Sequence, residues 1–126
     1  MTELARRAVA CPGWRWLPGM RMLHQSMGPA RVLRVTGQGV WVAKEESLAS
    51  GFRVEEDGCA PDLDDPATVG ALLALVREAW GAPCLYVGLL PARWGVWTSQ
   101  NLPLHECVGK GLTEAEALVA ALEAAP

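Results

Sequence analysis

PDLDDPATVGALLALVREAWG, residues 61–81, carries a helix start, a buried face and a stop within one short stretch. Asp65 before Pro66 is the start: a carboxylate can accept from the first-turn amides, and proline costs nothing where no N–H is needed. Asp62 and Asp64 add negative charge at the positive end of the helix dipole. Val69, Leu72, Leu73, Val76 and Trp80 then recur at helical spacing, with Ala71, Ala74 and Leu75 widening the apolar surface and Arg77 and Glu78 outside it. Gly81, followed by Ala82-Pro83, ends the run. The stretch predicts a well-buried central helix.

Working outward, residues 2–10 predict a short helix stopped by Cys11-Pro12-Gly13. Residues 13–22, GWRWLPGMRM, interleave aromatic and basic side chains around a Pro18-Gly19 turn, and residues 23–29 read as loop. Residues 30–36 and 40–43 form a hairpin about Gly37-Gln38-Gly39, with residues 52–55 as a third strand and 55–61 as polar loop. Beyond the central helix, CLYVGLL at 84–90 and WGVWTS at 94–99 are β-prone, and 104–108 offers a last strand before a break at Gly109-Lys110-Gly111. Thr113 and Glu116 then make a capping box, opening a C-terminal helix with Ala115, Leu118, Val119 and Leu122 on its apolar stripe. The order α-β-β-β-α-β-β-(β)-α, without βαβ alternation, predicts an α+β fold: an antiparallel β-sheet packed by helices, an α/β sandwich. A length of 126 residues predicts a single domain, 1–126.

Composition narrows the function classes. The chain is 51% hydrophobic and 20% charged, which is globular. A net charge of −3 gives no global attraction to nucleic acid or anionic membrane. No apolar run approaches the ~20 residues of a membrane span, and the N-terminus lacks an export signal's apolar region, so the expected location is the cytoplasm. Cys11, Cys59, Cys84 and Cys107 lack CxxC spacing and are expected as reduced, buried or half-buried thiols. A zinc site from Cys59, Cys84, His105 and Cys107 is the sharper alternative, without the compact spacing of structural zinc modules.

Charge is segregated. Residues 1–44 hold seven bases against one acid, Glu3, and residues 45–78 hold nine acids against Arg53 and Arg77. The plain account is charge pairing between the two segments; the sharper one is an anion-binding face built from Arg15, Arg21, Arg31 and Arg34. Six tryptophans against one Phe and one Tyr is the other bias. Trp80 and Trp41 fall where a core is expected. Trp14, Trp16, Trp94 and Trp97 are less readily absorbed, and rings beside arginines suit base stacking or a protein hot spot as well as a core. Catalysis has little support: His24 and His105 lie in no nucleophile or metal motif, and Asp62, Asp64 and Asp65 are better read as helix-start acids than as a metal cluster. The chain is therefore expected to be no enzyme and to need no cofactor or metal.

The segments DPATVGALLALVREAW and TEAEALVAALEAAP, with RAVACPGWRWLPGM, resemble a group of small bacteriophage- and prophage-encoded proteins and, more loosely, the phage ABA-sandwich domain. The resemblance lies at the chain's ends and centre, on structural helices, and carries over no functional residue. It implies a phage accessory protein in the host cytoplasm, with counter-defence a typical role. The first reading of function is thus a non-enzymatic protein that binds a host macromolecule through Trp14, Arg15, Trp16, Arg21, Arg31, Arg34, Trp94 and Trp97. The alternative is a homo-oligomeric small-molecule binder that sequesters a nucleotide-type signal by Trp stacking and Arg–phosphate contacts. A nucleic-acid binder using the basic N-terminal third is disfavoured by the acidic balance.

Overall fold

The computed structural model of the chain describes residues 1–45, 51–98 and 106–126. Its elements are α1 (Glu3–Ala10), β1 (Arg21–His24), β2 (Gly28–Thr36), β3 (Gly39–Lys44), β4 (Phe52–Val54), β5 (Cys59–Pro61), α2 (Pro66–Trp80), β6 (Tyr86–Leu89), β7 (Trp94–Trp97), β8 (Cys107–Gly111) and α3 (Glu114–Glu123). The fold is α+β, with two antiparallel sheets and three helices in the block order read from the sequence. The contacts group into two compact units, Arg15–Ala71 and Thr2–Trp14 with Leu72–Pro126; α2 begins in the first and continues into the second.

The first unit holds a five-stranded sheet in the order β4-β3-β2-β1-β5. The β2–β3 hairpin closes at Thr36 and Gly39 around residues 37 and 38, as its turn residues predict. Along the hairpin Ala30, Val32, Val40 and Val42 are buried, joined on the same face by Met22 and Val54. Of residues 23–29 and 55–61, expected as loop, 25–27 and 55–58 are turn and loop, while the rest is corrected to strand: 23 and 24 complete β1, 28 and 29 begin β2, and 59–61 form β5. Both added strands are too short for a visible alternation and exist through pairing, Met22 with Pro61 and His24 with Cys59. Pro61 is tolerated because β5 is an edge strand, where a missing N–H removes no ladder bond.

Asp65 caps α2 as its sequence predicts. Its Oδ2 accepts from Thr68 N–H at 3.0 Å and from the Thr68 hydroxyl at 2.9 Å. The same hydroxyl oxygen accepts from the Arg21 backbone N–H at 2.8 Å. Thr68 is fully buried, and these partners satisfy it.

The second unit holds the three-stranded sheet β6-β7-β8, α1, α3 and the later turns of α2. Leu72, Leu75 and Val76 are buried, Trp80 Nε1 donates to the Ala121 carbonyl at 2.8 Å, and Gly81 ends the helix with φ +59°. The Thr113–Glu116 capping box is formed as expected. Thr2 caps α1, accepting from Ala5 N–H at 3.1 Å, and Arg7 joins α1 to α3 through Glu123.

Gly109-Lys110-Gly111 does not break the chain; it is the body of β8. A Cβ at Gly109 would lie 2.3 Å from the Ala117 carbonyl oxygen, and one at Gly111 would lie 2.6 Å from the Ala117 nitrogen. The glycines let α3 rest its backbone directly on the strand. Of the last predicted strand, residues 104 and 105 lie outside the described residues.

Candidate functional site

The chemistry-bearing residues of the first unit converge on one face of its sheet. Alternation along β2 sets Arg31 and Leu33 on the face opposite Val32, and strict alternation would send Arg34 inward beside Val32. A β-bulge intervenes: Val32 pairs with Val42, yet Arg34, not Leu33, pairs with Trp41. Leu33 and Arg34 therefore both stand opposite Trp41 and share its face. The Arg34 guanidinium carbon lies 4.6 Å from the Trp41 ring centroid, a cation–π distance. Across β3 from Arg34, Trp41 pairs with Arg53 of β4. The result is a row, Arg34–Trp41–Arg53, with Leu33, 44% exposed, beside it.

The lower part of the same face carries Arg21 and Arg31, which are direct cross-strand partners. Two guanidiniums at that separation repel, and the acidic middle of the chain relieves it. Glu45 accepts from Arg21 Nε at 2.7 Å and from Arg31 Nη2 at 3.3 Å. Asp62 accepts from Arg21, and Asp65 accepts from Arg31 Nη1 at 2.7 Å. The hydrogen bonds that Arg21 donates to Glu45 and Asp62 push its pKa up. Arg21 in turn holds the Glu45 carboxyl below the usual carboxylate range. At Asp65 burial pushes the pKa up, but the hydrogen bonds from Arg31 and Thr68 outweigh it and the net shift is downward. Pairing between the basic and acidic segments, the plainer reading of the charge pattern, thus accounts for Arg21 and Arg31. Among the described residues no carboxylate lies in ion-pair range of Arg34 or Arg53; Arg53 Nη1 donates to the Gln38 carbonyl at 3.3 Å.

The residues singled out from sequence separate accordingly. Arg21, Arg31 and Arg34 share a face, the first two neutralised. Trp16 is 3% exposed, so its ring has no face to offer a partner; Trp14 is half-buried and Arg15 exposed. Trp94 and Trp97 stand on opposite faces of the second sheet, as a separation of three positions along a regular strand predicts. Trp94 is on the side that α3 covers, paired with Gly111. Trp97 stacks on its cross-strand partner Tyr86, with ring centroids 5.4 Å apart and planes 20° from parallel. Its ring lies over Gly95 and Gly88, where a Cβ would come within 2.6 Å and 3.3 Å of it.

Trp41 was expected in the core and is instead half-buried beneath Arg34; Arg53 and Leu33 were not singled out at all. Arg53 was readable in principle, since its place between Phe52 and Val54 fixes its face once the hairpin register is known.

For chemistry the arrangement provides stacking surface, guanidinium donors and aliphatic area. Among the described residues no three His, Cys, Asp or Glu side chains gather closely enough to hold a metal ion, and His105 lies outside them. Cys11 and Cys59 are buried, and burial pushes both thiols up in pKa; Cys84 is exposed. No helix among the described residues is long and apolar enough to cross a membrane. Compared with protein-family models, curated proteins and solved structures, the chain matches none.

Proposed function

We propose that the chain is a non-enzymatic binding protein, of the phage or prophage accessory kind that its helices resemble, which engages a host macromolecule through the Leu33–Arg34–Trp41 face of its first sheet. The observation that carries this reading is the bulge at Leu33 and Arg34, which turns a guanidinium outward, stacks it on Trp41 and leaves it without a carboxylate partner among the described residues. Tryptophan, arginine and an exposed aliphatic side chain in contact are the composition of a protein-binding hot spot. A row of strand residues suits an extended macromolecular surface, whereas small ligands favour concave sites. Counter-defence is the role that fits a small accessory protein of this kind.

The test is affinity capture from bacterial lysate with the wild type, Arg34→Ala, Trp41→Ala and, as control, Arg15→Ala. A specific partner retained by wild type and control but lost by both face variants supports the reading; a partner retained by all four proteins places the site elsewhere.

A second reading, sequestration of a nucleotide-type small molecule, is favoured by the parallel Tyr86–Trp97 rings, which offer the geometry a base would extend. Native mass spectrometry of protein purified from cells separates the two, since only this reading expects a co-purified mass that leaves on denaturation.

A further inference from the structure

We propose that the chain forms a two-fold dimer by antiparallel pairing of β4 with β4 of a second copy, centred on Val54, so that Arg53 of each copy stands opposite Glu55 of the other. This goes beyond the binding function and does not depend on it.

The first observation is the bare edge. β4 ends the order of its sheet, so its outer side makes no strand pairing among the described residues. Gly39 closes the hairpin against Thr36, and alternation in an antiparallel ladder then directs Val40 and Val42 toward β4. They meet Val54 and Phe52 there. The carbonyls agree: a Cβ at Gly39 would lie 3.0 Å from Val54 O, and one at Gly51 would lie 3.6 Å from Val42 O, both oxygens inside the β3–β4 junction. Residues 52 and 54 thus bond inward, and the N–H and C=O of residue 53 point out of the sheet; continuing the alternation one position past the end of β4 sends those of residue 55 the same way.

The second observation is the charge written on that edge. Arg53 and Glu55 are exposed, two positions apart, and so on one face; Val54 between them is buried on the other. Antiparallel self-pairing about Val54 places Arg53 against Glu55 twice, with the two Val54 side chains facing each other across the dyad. This is the self-complementarity an isologous contact requires. Centring the pair on Arg53 would oppose two guanidiniums, and centring it on Glu55 would oppose two carboxylates, so charge selects one register. The outward backbone groups of residues 53 and 55 are those the junction would bond. The Glu55 carbonyl accepts the Cys59 thiol at 3.2 Å and retains its second lone pair. Arg53 spends one Nη1 donor on Gln38 and keeps its remaining donors for a carboxylate.

So short a junction buries less than the ~1,200 Å² of stable interfaces, so the dimer is weak and concentration-dependent. Sedimentation velocity over a concentration series at low and high salt, under reducing agent because Cys84 is exposed, measures it. The wild type is expected to dimerise reversibly and less tightly in high salt. Arg53→Glu and Glu55→Arg are each expected to weaken it about tenfold, since each turns both symmetric attractions into repulsions. The double variant R53E/E55R is expected to recover wild-type affinity, and an equimolar mixture of the two single variants to form a heterodimer. A wild type that stays monomeric, a dimer that neither single variant weakens, or swaps that restore nothing would each overturn the proposal. Circular dichroism verifies that each variant folds; should one reversal not fold, the other reversal and Arg53→Gln must still shift the equilibrium in the same direction.

Discussion

Arg21 and Arg31 face each other directly across neighbouring strands, and the Glu45 carboxylate bridges them. A like-charged pair at this position would weaken the sheet on its own; here it gathers Glu45, Asp62 and Asp65, carboxylates from the loop after β3 and from the approach to α2. The sheet and the start of α2 are therefore tied by charge as well as by backbone. That linkage makes the first unit sensitive to acid. The Glu45 and Asp65 carboxyls both have pKa values lowered in the folded state. Such groups contribute stability that is complete above their unfolded values and is lost as pH falls through the folded ones. The denaturation midpoint should hold near neutral pH and fall below about pH 4. Urea titrations across that range check it, and Asp65→Asn should flatten the slope.

Asp65→Ala removes the α2 cap, the bond from Thr68 and the main partner of Arg31 together. We expect a loss of roughly 2–4 kcal/mol in chemical denaturation. Asp64→Ala, at an exposed neighbour, should change stability by less than about 0.5 kcal/mol.

Gly109→Ala forces a methyl group to within 2.3 Å of the Ala117 carbonyl oxygen and 2.7 Å of the Ala121 nitrogen. Backbone, not a side-chain tip, has to move, so the cost should reach about 3 kcal/mol, read as a lower melting temperature. Gly70→Ala in α2 meets nothing within 4 Å and should stabilise by roughly 0.5–1 kcal/mol.

Thiol reactivity should follow burial. Cys84 is exposed and should react first with an aromatic disulfide reagent at neutral pH, whereas Cys11 and Cys59, buried with raised pKa, should react only on unfolding. Mass spectrometry of the labelled peptides reads the order.

Arg34→Ala should leave the fold within about 1 kcal/mol of wild type, since the residue is exposed and its ring contact is a surface one. Its effect on partner binding should be larger, at least about tenfold by the usual worth of a hot-spot side chain. Thermal melting and titration with the captured partner, run on the same samples, separate the two effects.

What could be read from the residues follows how local each signal is. The α2 helix was legible because cap, stripe and stop lie within one stretch, and the β2–β3 hairpin because its turn residues sit between alternating strands. β1 and β5 were not, because residues 21–24 and 59–61 become strands only by pairing with each other and with β2. Gly109 and Gly111 looked like breakers, since nothing local distinguishes a glycine that ends a strand from one that admits a helix. At the site, Arg21, Arg31 and Arg34 were picked out, but period-2 reasoning puts Arg34 on the wrong face, and the bulge that corrects it has no sequence signature. Trp41, flanked by Val40 and Val42, looked like core for the same reason: an apolar run conceals which of its members faces out.

The bulge at Leu33 and Arg34 makes chain length matter more than residue type at this point. Loss of either residue would remove the bulge and restore strict alternation while leaving Val35 opposite Val40 and Thr36 opposite Gly39. With Leu33 deleted, Arg34 could meet Trp41 without crowding; with a residue added, the guanidinium would be driven into the space held by Val32, Val40 and Val42. Substitutions here should tune affinity, whereas a single inserted codon should exchange the outer and inner surfaces of half a strand.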